Sequence, residues 1–522
     1  MNKIPRPQLP VAVSLGCDVK GAVLPHPEMR GWETQKAAVE GRLGCQMPKV
    51  DKKLIRRLRV WNMVLCRKLL QPVSSTYFSV DFLQCVDHWL SLTNYTQLRR
   101  RDLRAKAESL VQSESDLNVW LRRNYCAKGF VKDESYEEWK ISRGIHPESD
   151  EVKVVMGPLF KAIEEIVYHL KSFVKHIAVT DRPNYMMSNV EQAGWVKILT
   201  DFSSFEAGFS PDAMHALEFP MYRYMLRNCP AQLKTMVVYE ACCCNYRTIS
   251  YKDVRIRVRG RRLSGQMCTS LGNTWSNFVL LTYLMKDHIH LEHMRLAVEG
   301  DDGVTAVPPE VVPLLDRTVF ERAGFKIKLE FVSDIAQASF CGMVFDPEDR
   351  VNVTNPWPEI VAFGWSGGQA IFADQTRRMM LLRAKSMSLA YQYHRCPVIH
   401  ALARYGLRVT GVVSRDTLRF VTESTFYNEY ERRNVITAAM KWNLMAAAPV
   451  PIRTRELVSR LYAIPIEQQL AIESYFDSLD KLQQLEVPCQ NAIWRENAQR
   501  FVREFKVGTL WRTISASRPL LV

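Results

Sequence analysis

WVKILT (195–200) is a strand-like run, and apolar and polar positions alternate along MRLAVE (294–299) and VTAVP (304–308), which predicts strands there too. The last two are separated by Gly300-Asp301-Asp302-Gly303, whose glycines suit a tight turn, so the pair reads as a hairpin. Val254 to Arg259 alternates strictly as VRIRVR, a strand that would carry three Arg on one face and three apolar residues on the other. Lys326 and Lys328 of AGFKIKLE likewise fall on one face of a strand. Helical patterns occupy other stretches. KKLIRRLRVWNMVLCRKLL (52–70) is a basic helix apolar around much of its circumference, and TQLRRRDLRAKAESL (96–110) repeats that character. NTWSNFVLLTYLM (273–285) is a long apolar helix, and EQQLAIESYFDSLDKLQQL (467–485) is the clearest helix in a largely helical stretch after Phe345. The first fifty or so residues hold Pro5, Pro7, Pro10, Pro25 and Pro27, which predicts an extended arm over the surface.

The hairpin carries the chemistry. Its turn pushes two adjacent carboxylates, Asp301 and Asp302, off the tip, and Asp201 ends the strand run WVKILT, followed by Phe202-Ser203-Ser204-Phe205-Glu206 and a helix start at Ser210-Pro211-Asp212. Paired acids in a turn are ordinarily just solvated. Between the two acid sites, however, lies Ser264 to Asn273, an S-G-x-x-x-T-x-x-x-N pattern opening the long apolar helix, and the ordered set is hard to obtain by chance.

These residues resemble the RNA-dependent RNA polymerases of positive-strand RNA viruses, closest to their tombusvirus-like or nodavirus-like end. Asp201 with Glu206 matches motif A, Ser264 to Asn273 motif B, and Gly300 to Asp302 motif C. KGFVKDESYEEWKISRGI is similar to motif F through Lys132, Glu134, Arg143 and Ile145, and AGFKIKLE and SFCG resemble motifs D and E. The resemblance spans roughly residues 125 to 345. It implies an α+β right-hand polymerase fold, with a palm of antiparallel sheet and helices, fingers, and a mostly helical thumb. The expected division is an arm over 1–50, fingers over 51–190 with motif F at 125–145, a palm with an inserted fingers segment over 191–345, and a thumb over 346–522. Within the palm, motifs A to E occupy 201–206, 264–273, 300–302, 324–330 and 339–342.

The resemblance also implies roles. Asp201, Asp301 and Asp302 would hold two Mg²⁺ or Mn²⁺ ions, hard cations that take oxygen ligands. Lys132, Lys140 and Arg143 would cradle the triphosphate of an incoming nucleotide. Ser264, Thr269 and Asn273 would lie near its sugar and the nascent pair, with Gly265 letting the loop flex, although Ser and Thr at a helix start also serve as plain caps. Lys326 or Lys328 would be the general acid that protonates pyrophosphate, and spacing does not choose between them. Cys341 would sit near the priming strand. Many relatives carry Asp where this chain has Glu206, one methylene longer, in the pair that senses the ribose 2′-OH with Asn273.

Composition narrows the picture further. Across 522 residues, 70 Lys and Arg against 55 Asp and Glu give a net charge of +15, which favours a polyanionic partner. The length predicts subdomains around a central cleft. Thirteen cysteines with no C-x-x-C pair point to reduced thiols, and Cys242-Cys243-Cys244 reads as buried strand in preference to a zinc site. The longest apolar run, FVLLTYLM, is too short to span a bilayer. The expected partners are RNA template and product strands and nucleoside triphosphates, with other viral replicase proteins and host membranes left open, and the expected location is host cytoplasm in membrane-associated replication complexes. Two rivals remain. A reverse transcriptase would have an aromatic and a variable residue ahead of the Asp pair, where Val298-Glu299-Gly300 stands, and a non-catalytic RNA-binding replicase subunit would have no need of all three acids.

Overall fold

A computed structural model describes residues 12–20, 22, 27–75, 81–112, 126–136, 140–231, 233, 246–411, 415–423, 429–440 and 448–488. The Cys242 to Cys244 cluster lies outside the described residues. The architecture is mixed helix and sheet, as an α+β fold requires. The principal strands in chain order are β1 (Ala12–Ser14), β2 (Cys126–Lys128), β3 (Val196–Phe202), β4 (Tyr246–Ser250), β5 (Arg255–Arg259), β6 (Arg295–Glu299), β7 (Asp302–Val307), β8 (Ile327–Val332) and β9 (Trp365–Gly367). The helices that matter most are α1 (Lys52–Leu69), α2 (Asp150–Val167), α3 (Thr269–Met285), α4 (Gln375–Gln392), α5 (Ile399–Thr410) and α6 (Ile466–Asp477).

The chain divides into two compact units, one of residues 39–130 and 144–347, the other of residues 1–38, 131–143 and 348–522. The first is built on an antiparallel sheet in the order β8–β3–β7–β6. Ile198 and Leu199 are adjacent in β3 and so point to opposite faces, yet both are buried, because each face has its own core. Ile198, Leu296 and Val298 face a large helical core that includes Phe173, Trp275 and Phe278. Leu199, Ala297, Val304 and Ala306 face a smaller one with Val174, Met186, Ile335 and Phe340. Burial on both sides explains why these strands carry almost unbroken apolar runs.

Helix α3 runs through the larger core with nearly all of its residues buried. Its Trp275 indole N–H donates to Asn62 Oδ1 at 3.0 Å, and Asn62 Nδ2 donates in turn to the carbonyls of Ala216 and Leu217. Helix α1 begins at the N-cap Asp51, whose carboxylate accepts from the backbone N–H of Lys53 and Leu54, and buries Leu54, Leu58 and Leu65. A second sheet, β2–β4–β5, has β5 at its edge with Arg255, Arg257 and Arg259 exposed on one face and Val258 buried on the other, as strict alternation predicts.

In the other unit α4 packs on α5, and α5 on α6. The N-terminal residues are part of this unit. β1 pairs with β9, and Lys20 N–H donates to Leu485 O at 2.7 Å while Leu485 N–H donates to Asp18 O at 3.0 Å. Gly16 has φ +97, and a Cβ there would lie 2.7 Å from Leu482. Two expectations need correction. The N-terminal segment is not extended throughout, because the Ala-containing run WETQKAAVEGR forms a helix over Trp32–Arg42. The helix expected over 467–485 ends at Asp477, and residues beyond it serve as the partner of the N-terminal segment, a pairing that local periodicity does not encode.

Candidate active site

Sheet register brings the acids together. Thr200 on β3 faces Gly303 on β7, so Asp201 comes one step further along at the level of Asp302, and Glu299 pairs with Asp302 across the hairpin. On the other side of β3, Asp201 pairs with Lys328 of β8. Gly300 takes φ +65, the left-handed region that a turn this tight needs, and Asp301 follows at the tip. Asp302 is already the first residue of β7. All three aspartates are exposed.

The Asp302 carboxyl is pushed up to about 7, first by burial and then by the negative charge of Asp301, with Glu299 and Asp201 adding to it and a hydrogen bond from Cys341 opposing it. Since the residue as a whole is exposed, crowding by like charges is the part of this shift that bears on chemistry. A site that raises a carboxyl in this way is short of positive charge, and an all-oxygen donor set suits a hard divalent cation. Among the described residues no three His, Cys, Asp or Glu side chains form a ready-made cage. Mg²⁺ usually takes one or two carboxylates together with water and substrate phosphates. The residues present therefore fit a divalent ion.

The acid-bearing turn is held by its backbone. Thr274 Oγ1 accepts from the Gly300 N–H at 2.8 Å, and Asn277 Nδ2 donates to Asp301 O at 3.0 Å and to Gly300 O at 3.4 Å. Thr200 Oγ1 donates to Gly303 O at 3.2 Å. Gly303 is required here, since a Cβ would lie 2.8 Å from Thr200 Oγ1 and 3.0 Å from Asn277 Nδ2. Sequence reading did not single out Thr274 and Asn277, though a signal existed: they are polar interruptions three residues apart on one face of an otherwise apolar helix. Arg182 had no such signal. Nearly buried, it bonds Glu299 Oε2, and Cys341 Sγ lies 3.8 Å from the same oxygen.

The segment from Asp201 to Glu206 is anchored by aromatic rings. Phe202 and Phe205 pack with centroids 4.4 Å apart, and both contact Phe325. Glu206 is the second residue of a short helix, Phe205–Gly208, half-exposed, and its carboxylate has no hydrogen-bond or ion-pair partner among the described residues. Lys328 is in β8 and pairs with Glu330, whereas Lys326 lies one residue before the strand, its carbonyl accepting from the Ser203 N–H at 3.0 Å.

The residues before α3 form a turn, not helix. Ser264 O accepts from the His146 N–H at 2.6 Å, and Gly265 has φ +106 with its would-be Cβ 3.2 Å from the His146–Pro147 backbone. Met267 N–H donates to Glu148 Oε2, while the other oxygen of Glu148 takes a buried ion pair from Arg247 at 2.6 Å. Thr269 Oγ1 donates to Leu263 O at 2.7 Å, so its proton closes the turn. Asn273 is buried, and its Oδ1 has no hydrogen-bond partner among the described residues.

Lys132, Lys140 and Arg143 belong to the other compact unit and are described there by themselves. Arg143 makes a two-point contact with Glu134, at 2.7 and 2.6 Å, and Lys132 reaches the same carboxylate at 2.8 Å. Burial alone would raise Glu134; the Arg143 guanidinium, Lys132 and the Tyr136 hydroxyl outweigh it and hold the group down at about 2. Lys140 Nζ sits 4.6 Å from the centre of the Tyr136 ring.

Residues 150–363 match the family described as viral RNA-dependent RNA polymerase. The RNA-directed RNA polymerase of Tobacco necrosis virus (strain A) is 27% identical over 285 residues, covering 51% of this chain and 38% of that protein. The chain thus aligns with well under half of that relative's length.

Proposed function

We propose, from a chain whose residues 150–363 match the viral RNA-dependent RNA polymerase family, that this protein is an RNA-directed RNA polymerase that extends an RNA 3′-OH with nucleoside triphosphates in replicating a viral genome. The observation that carries the reading is the register that sets Asp201 at the level of Asp302, beside a glycine turn bearing Asp301. Asp201, Asp301 and Asp302 are the residues that would hold the divalent ions, expected to be two Mg²⁺ or Mn²⁺. When bound, such ions neutralise charge on the entering and leaving oxygens of a phosphoryl transfer. The protein's own contribution is to hold the backbone of the turn that carries the carboxylates, by side-chain bonds from Thr274, Asn277 and Thr200.

On this reading the unit containing β3, β6 and β7 is palm with fingers, residues 346–522 are thumb, and the N-terminal segment is the arm. Lys328, cross-strand from Asp201, is the better placed of the two lysines to move a proton at that site, whereas Lys326 lies before the strand. Glu206, without a competing partner, and Asn273, with an unmatched carbonyl oxygen, are the candidates to read the ribose. Ser264, Gly265 and Thr269 shape the turn beside them, and Thr269 acts as a structural clasp. Lys132, Lys140 and Arg143 keep the triphosphate-binding role that the resemblance implies, with Arg143 first among them. RNA template and product are the partners, and host cytoplasmic, membrane-associated complexes are the proposed setting.

The test is incorporation of labelled ribonucleotides on a short RNA template with Mg²⁺. Asp301→Ala is expected to abolish incorporation while RNA affinity stays within about twofold, because affinity comes from the basic surface. Normal incorporation by that variant would overturn the assignment.

A further inference from the structure

On helix α1, Lys53, Arg56, Arg57, Val60, Arg67 and Lys68 are all exposed, and the 3.6-residue repeat sets them on one face. None of these five cations has an ion-pair or hydrogen-bond partner among the described residues, and the helix contains no acid. Over the sixteen residues from Lys53 to Lys68 the stripe runs about 22 Å. Midway along it, a groove of about 520 Å³ opens between Arg56 and Arg57 and the C-terminal end of α3. Val60, Val64, Trp61 and Tyr283 supply an apolar lining, and Lys286 and Asp287 lie at its edge, paired with each other. Val60 is 65% exposed, a large apolar side chain left uncovered in the middle of the charge. The Trp61 ring is fixed, because its N–H donates to Thr282 Oγ1 at 3.0 Å.

We propose that this stripe and groove bind a segment of single-stranded RNA away from the acidic turn, at the opposite end of α3. A flexible polyanion with flat apolar bases meets both features: phosphates along the unpaired cations, and a base in the apolar groove beside the fixed aromatic rings. An acidic peptide with one apolar anchor would fill the groove but leave the cations beyond it unmatched. A bilayer surface would match the cations but leave the concave groove empty. The reading of the chain as a polymerase enters only in making RNA the polyanion at hand.

The experiment photocross-links a 4-thiouridine oligoribonucleotide to the full chain and maps the labelled peptides. A glutamate-rich peptide and phosphatidylserine vesicles are measured in parallel for binding. Cross-links are expected in 53–68 and in 283–286, and Arg56→Glu/Arg57→Glu is expected to reduce them about tenfold, since charge reversal removes phosphate contacts. Val60→Glu, which leaves the cations in place, should reduce them as well, and an unchanged melting temperature establishes that both variants fold. Cross-links absent from both segments, or undiminished by the charge reversal, would refute the proposal. So would an α1-dependent binding of the peptide or vesicles without that of RNA. A wild-type chain that cross-links through α1 but incorporates no nucleotide would refute the polymerase reading and leave this site standing.

Discussion

At the residue level the acid-bearing turn is set apart by how its backbone is held. Removing the clasp should therefore separate chemistry from binding. Asn277→Leu and Thr274→Val each delete a side-chain bond to the turn at 300–301. Each should cost about 1 kcal/mol of stability. Incorporation should fall about tenfold, what a barrier rise near 1.4 kcal/mol produces, while RNA affinity holds. Single-turnover kinetics beside an RNA-binding titration checks both, and a rate unchanged in both variants would show the turn to be self-supporting. Glu206 poses a different question, because its carboxylate is half-exposed and without a partner. Glu206→Ala should weaken the preference for ribo- over deoxyribonucleotides, and an unaltered ratio of incorporation efficiencies would remove it from sugar sensing.

Helix α3 works as an element because it is hydrophobic nearly all round yet carries its polar residues where the turn needs them. Its N-terminal half also passes very close to a buried ion pair. Gly272 is the point of contact, where a Cβ would lie 2.2 Å from Glu218 Oε2 and 2.9 Å from Arg262 Nη2. Both charges are fully buried and bonded to each other, so displacing one leaves the other uncompensated. Gly272→Ala should destabilise the protein by about 3 kcal/mol even though alanine favours helix. By contrast Gly300→Ala meets nothing within 4 Å and should cost only the strain of a positive φ, about 1 kcal/mol. Calorimetric melting of the two variants would show whether this order holds.

On the scale of the whole molecule, the two compact units should respond to acid in different windows. In the first, the His146 imidazole is pushed down from 6.5 to about 4 by burial, with the charge of Arg42 adding to it, and its Nε2 bonds the Tyr251 hydroxyl at 2.7 Å. The unfolded chain binds that proton more readily, so the stability His146 contributes is complete above pH 6.5 and is lost as pH falls toward 4. In the second, Glu134 is depressed from 4.5 to about 2, and its contribution is complete above pH 4.5 and lost as pH falls toward 2. Melting temperature against pH should therefore lose its upper limb in His146→Phe and flatten only below about 4.5 in Glu134→Gln. Identical profiles for wild type and both variants would show that neither group is linked to folding.

What the sequence determined by itself was whatever rests on local repeat and order along the chain. Strict alternation marked β5, strand-like apolar runs marked β3 and the β6–β7 hairpin, Gly300 marked the turn, and the order of Asp201, the Ser264–Asn273 run and the Asp pair marked the candidate site. Tertiary structure alone decided which distant groups meet. Arg182 on Glu299, Thr274 and Asn277 on the turn, Thr269 closed on Leu263, and the chain after Asp477 paired with the N-terminal segment are contacts between residues whose neighbours in sequence say nothing of each other. The physical reason is that periodicity reports which face of an element is buried, while the partner met on that face is chosen by sheet register and by packing across the core.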